Sequence, residues 1–103
     1  MSVIYSKTET FKKDIEKGLV LVDFYADWCG PCQIVGPTID KLAEEKDLAT
    51  FVKVNVDDAQ DIAGEYGVMS IPTLIAFKDG EKVDQKVGVV SAEDITSWLE
   101  GLK

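Results

Sequence analysis

The chain has 103 residues, 46% apolar and 29% charged, the length of one domain whose core needs no staples. Acidic residues outnumber basic ones 19 to 11, a net charge of −8, and every basic residue is Lys because Arg and His are absent. That balance excludes a sequence-independent nucleic-acid binder, His-based triads, Cys–His pairs, His-containing metal sites and bidentate Arg clamps.

Taken in chain order, Val3 to Tyr5 predicts a short edge strand. Thr8 reads as a helix N-cap, with Phe11 and Ile15 spaced i, i+4 and Gly18 closing the helix. Leu19 to Ala26 is an apolar and aromatic run interrupted only by Asp23, the pattern of a strand buried on both faces. A second helix is expected to open around Cys29 to Cys32 and run to about Lys46, with Val35, Ile39 and Leu42 as its stripe and a bend at Pro37. Phe51 to Val56 predicts a strand with Val52, Val54 and Val56 on one face and Lys53 with Asn55 on the other. Ala59, Ile62, Ala63 and Tyr66 mark a short helix. Thr73 to Lys78 and Glu81 to Val87 flank Asp79-Gly80, a dipeptide that favours a tight hairpin. Ser91 with Asp94 three residues on opens a last helix carrying Ile95, Trp98, Leu99 and Leu102.

The order is β-α-β-α-β-α-β-β-α, which predicts an α/β fold with a mixed central sheet of about five strands and helices on both faces. The whole chain, residues 1–103, is read as a single domain. No apolar run reaches the ~18 residues needed to span a bilayer. Met1 to Lys13 lack the apolar stretch of a secretory signal, so a cytoplasmic location is expected, with no membrane or nucleic-acid partner.

The two cysteines, Cys29 and Cys32, stand three positions apart, after a strand and at a helix start, where open α/β sheets gather their chemistry. Residues three apart on a helical turn are neighbours, so the sulfurs reach bonding distance with little backbone movement. Unpaired N–H groups and the helix dipole favour thiolate there. Cys29, nearest the loop, is read as the nucleophile, and Cys32, one turn inside, as the resolving thiol.

Three plainer readings compete. A staple closing so small a ring stabilises by only about 2 kcal/mol in the loop-entropy model. Half of a metal site would need a second chain, since no further Cys or His exists, and no metal or other cofactor is expected. Two buried thiols acting as small hydrophobes are the third reading.

The neighbouring residues sharpen the redox reading. Gly30 gives the turn latitude, Pro31 is tolerated in a first helical turn, and Trp28 offers an apolar body to a docked chain. Asp23 is an acid in an apolar strand, where burial favours its neutral form; it is a candidate for exchanging the Cys32 proton.

Trp28-Cys29-Gly30-Pro31-Cys32 resembles the active-site signature of the thioredoxin family. Val22 to Ala26 is similar to the family strand before it, Pro37 to its helix proline, Ser70-Ile71-Pro72-Thr73 to its cis-proline loop, and Gly88 to the glycine after its hairpin. The resemblance spans the chain and implies the thioredoxin fold, a general dithiol–disulfide oxidoreductase that reduces protein disulfides, a cis Pro72 facing the cysteines, and Lys53 as partner of Asp23. It implies a substrate surface of Trp28, Met69, Ser70, Ile71, Pro72, Gly88 and Val89, on which an extended segment pairs with the Ile71 backbone. Thioredoxin reductase is the implied electron donor, oxidised proteins such as peroxidases and reductases are the implied targets, and a monomer is expected. Gln33 stands where Lys is common in the family, and Met69 where a polar residue is frequent. A disulfide-forming or isomerising enzyme of the same fold, and a non-catalytic binding module, are the alternatives. The first is weakened because no His stands between the cysteines; insulin reduction separates the second.

Overall fold

A computed structural model describes residues 3–45 and 47–103. The elements are β1 (Ile4–Ser6), α1 (Phe11–Asp14), β2 (Leu19–Tyr25), α2 (Cys32–Glu45), β3 (Thr50–Asn55), α3 (Gln60–Glu65), β4 (Thr73–Lys78), β5 (Glu81–Val87) and α4 (Ala92–Leu102). The predicted order holds throughout. The expected end of the second helix at Lys46 lies outside the described residues.

The five strands form one mixed sheet in the order β1-β3-β2-β4-β5. β1 and β2 both run parallel to β3, β4 runs antiparallel to β2, and β5 antiparallel to β4. β2 is thus central, and its apolar run is buried on both faces, as the lack of alternation implied. Period-two geometry sends Val20, Val22 and Phe24 toward α1 and α3, where they join Phe11, Val52, Val54, Ile62, Ile75 and Phe77. Leu21 faces the other way, with Phe51 and Leu74, under Val35, Ile39 and Leu42 of α2 and Ile95 and Leu99 of α4.

Local chemistry sets the boundaries. Asp79 and Gly80 have φ of 51° and 89°, the left-handed pair a two-residue hairpin requires. The Asp79 carboxylate accepts from the Gly18 N–H at 2.8 Å, clamping this turn to the one before β2. Ser91 Oγ accepts from the Asp94 N–H at 3.1 Å, capping α4 as expected. Thr8 does not cap α1: the N-cap position is Thr10, and the Thr8 hydroxyl instead donates to Asp61 in the first turn of α3. α2 continues through Pro37.

Candidate active site

The cysteines lie beyond the carboxyl end of β2. Cys29 closes the loop that follows the strand, its N–H donating to the Ala26 carbonyl at 3.3 Å. Cys32 is the first residue of α2 and not one turn inside it. The preceding turn is a tight i→i+3 one, with Gln33 N–H donating to the Gly30 carbonyl at 3.0 Å. The two sulfurs form a disulfide across Cα atoms 5.3 Å apart. The Cys32 N–H, an unpaired donor at the start of α2, points at Cys29 Sγ from 3.2 Å. Both cysteines are buried, resting on Ala26, Tyr25, Val56 and Ile71.

The Ile71–Pro72 peptide is cis, and the Ile71 carbonyl oxygen lies 3.7 Å from Cys29 Sγ. Pro72 and Thr73 are buried, Ile71 is half-buried against the core, and Ser70 is exposed. Gly88 has φ of +94°, a conformation that favours glycine, and from it its N–H reaches the Pro72 carbonyl at 2.8 Å. The loop after β5 is thereby tied to the proline loop. Around them Trp28, Met69 and Val89 are 72%, 95% and 55% exposed, an apolar rim and not core packing.

Two residues bearing on the site were not singled out from the sequence. Asp57 accepts the Trp28 indole N–H at 2.8 Å and so orients the ring. Its own N–H is held by Asn55 Oδ1 at 2.9 Å. The signal was the acid two residues past β3, since parallel pairing sets the end of β3 beside the end of β2. Asp40 is the second. Gln33 turns back to donate to the Asp27 carbonyl at 3.1 Å.

Beneath α2, the parallel register sets Asp23 directly across from Lys53, and Lys53 across from Tyr5. Both charged residues are buried, at 2% and 7% exposure. Lys53 stands beside Asp23 as the resemblance implied, yet its ammonium pairs with Asp40 Oδ1 at 2.8 Å. Asp23 Oδ1 has no hydrogen-bond partner among the described residues. Desolvation pushes the Asp23 carboxyl up to about 6, against the pull of the Lys53 charge and with a push from Asp40. A cleft of about 420 Å³ beside α2 is lined by Cys32, Gly36, Asp40, Lys53 and Tyr25 among others, joining the ammonium's surroundings to Cys32. Among the described residues no group of three or more His, Cys, Asp or Glu is placed to hold a metal, and no helix is long and apolar enough to cross a membrane.

The thioredoxin family model matches residues 2–101 of this chain. Thioredoxin of Bacillus subtilis is 45% identical over 89 residues, covering 85% of this chain and 86% of the relative. Thioredoxin of Pyropia yezoensis is 48% identical over 102 residues, covering 96% and 95%. Among solved structures, a point-mutant thioredoxin from Halobacterium salinarum NRC-1 superposes with a TM-score of 0.90 at 39% identity, covering 97% of this chain and 89% of that one.

Proposed function

The chain belongs to the thioredoxin family and is a dithiol–disulfide oxidoreductase, and on that premise we propose that it acts as a reductant of protein disulfides with Cys29 as the attacking sulfur. The carrying observation is the Cys32 N–H aimed at Cys29 Sγ from 3.2 Å, a donor placed to stabilise a thiolate on that atom. Gly30 and Pro31, with no His between the cysteines, favour the reducing direction.

In the reduced protein, Cys29 thiolate attacks a target disulfide. A Cys29–target S–S bond forms, the target's own S–S bond breaks, and one target thiolate leaves. Cys32 then gives its proton to the Asp23 carboxylate, and the new thiolate attacks Cys29 Sγ. The Cys29–Cys32 bond forms, the mixed disulfide breaks, and the second target thiolate leaves. Two electrons pass from the protein to the target, whose thiolates take their protons from solvent. A carboxyl titrating near 6 is ionised at neutral pH, so it can accept this proton, and is basic enough to hold it.

The target segment lies extended over Trp28, Met69, Ser70, Ile71, Pro72, Gly88 and Val89 and pairs with the Ile71 backbone, which gives affinity with little sequence demand. Residues 1–103 work as one domain and a monomer in the cytoplasm. Electrons enter from thioredoxin reductase and leave to oxidised proteins such as peroxidases and reductases. Cys32→Ser tests the roles: incubation with oxidised insulin is expected to trap a stable mixed disulfide at Cys29, seen by mass spectrometry. No adduct at Cys29 in this variant, or a Cys29→Ser protein that still forms the adduct at Cys32, would count against the assignment.

A further inference from the structure

Lys53 and Asp23 are lateral partners in the parallel ladder, both buried beneath α2, yet the ammonium is directed elsewhere. Lys53 Nζ pairs with Asp40 Oδ1 at 2.8 Å, donates to the Gly36 carbonyl at 3.4 Å, and lies 5.8 Å from the centre of the Tyr5 ring. Gly36 and Asp40 stand four apart on α2, one above the other on the same face. All three contacts lie along the same cleft, where the Asp40 side chain is half exposed. Asp23, left without that contact, keeps one carboxyl oxygen unpaired among the described residues.

We propose that Asp40 is a positioning residue for proton exchange at Cys32: it holds the Lys53 ammonium at the cleft, off the Asp23 carboxyl, and so leaves Asp23 able to take up and hold a proton. The inference rests on the reading of Asp23 as the proton carrier. Its physical basis is a competition between two carboxylates for one cation. The Asp40 side chain is half exposed and keeps part of its hydration while it holds the cation, whereas Asp23 is buried, so the ammonium settles on Asp40. Contact with an ammonium would favour the ionised form of Asp23 and weaken it as a proton acceptor.

The other titratable groups around the site are Tyr5 on β1, Tyr25 on β2 and Cys32 on α2, with Asp27 and Asp58 near Tyr25. On the remaining side Asp23 faces Leu74 of β4, which brings no charge.

The test follows the Asp23 side-chain carboxyl by ¹³C NMR through a pH titration of the full chain. Asp40→Asn frees the ammonium, and the Asp23 midpoint is expected to fall by about one pH unit. In a Lys53→Met background, or Lys53→Gln should that fold better, Asp40→Asn is expected to produce less than about a third of that fall. An unmoved midpoint in Asp40→Asn, or an equal fall without Lys53, overturns the proposal. Single-turnover insulin reduction between pH 5 and 8 provides the second readout: its acid limb is expected to follow the midpoint. A midpoint that falls as expected while the rate profile stays put supports the placement of Lys53 and overturns instead the role given to Asp23.

Discussion

The two faces of the sheet bury different chemistry. Toward α1 and α3 the core is built on aromatic rings: Phe11 lies 6.3 Å from Phe24, 5.7 Å from Tyr66 and 5.8 Å from Phe77, centre to centre. The buried polar groups on this side are hydroxyls with partners, Ser6 donating to Asp14 and Thr73 to the Ser70 carbonyl. Toward α2 and α4 the core is aliphatic apart from Phe51 and the half-buried Trp98 packed against it, and it ends in Asp23 and Lys53, two ionisable residues under one helix. One face is closed by packed rings, while the other accepts a destabilising carboxyl, the group the proposed mechanism uses for proton chemistry.

The largest test of that division is Phe11→Ala. Deleting a fully buried ring at the centre of the cluster is expected to destabilise by about 3–5 kcal/mol in urea unfolding. Insulin reduction per folded molecule is expected to stay near wild type; a large drop would mean that the aromatic face shapes the site after all.

Asp23→Asn probes the other face with the opposite sign. Its carboxyl titrates near 6 in the folded protein against 3.8 ordinarily, so the native state binds the extra proton between those values. Stability is therefore full below pH 4 and falls as pH rises to about 6. At pH 7 to 8 the Asn variant is expected to be more stable on the order of 2–3 kcal/mol, at about 1.4 kcal/mol per pH unit, with the advantage vanishing near pH 4. Its turnover is expected to slow. Equal stability across that range would remove the claim that this face carries a destabilising acid.

Gly36→Ala has the smallest expected effect. An added Cβ would meet Lys53 Nζ at 3.7 Å, ordinary contact, inside a helix where Ala is favoured over Gly. A gain of about 0.5–1 kcal/mol in thermal unfolding is expected, with the Lys53–Asp40 pair kept. Loss of stability would show that the helix cannot tolerate a methyl over the ammonium.

The sequence was most readable where local chemistry decides. Asp79-Gly80 placed the hairpin to the residue, Ser91 placed the start of α4, and the cysteine spacing placed the disulfide. Long-range choices were harder to see. Thr8 has the chemistry of a cap, but Asp61, far away in sequence, takes its hydroxyl. Asp57 and Asp40 look like ordinary surface acids until the parallel register brings β3 beside β2 and under α2. Only the i, i+4 spacing of Gly36 and Asp40, set against a Lys on a buried strand, hinted at the second.

The cleft beside α2 has one more implication. Its lining of Tyr5, Tyr25, Cys32, Gly36, Asp40 and Lys53, among others, shares no residue with the proposed docking face of Trp28, Met69, Ser70, Ile71, Pro72, Gly88 and Val89. In the proposed mechanism the target is therefore received on one side of the disulfide, and the cleft that reaches Cys32 opens on another. A target chain seated over Cys29 as proposed would leave the cleft beside Lys53 uncovered.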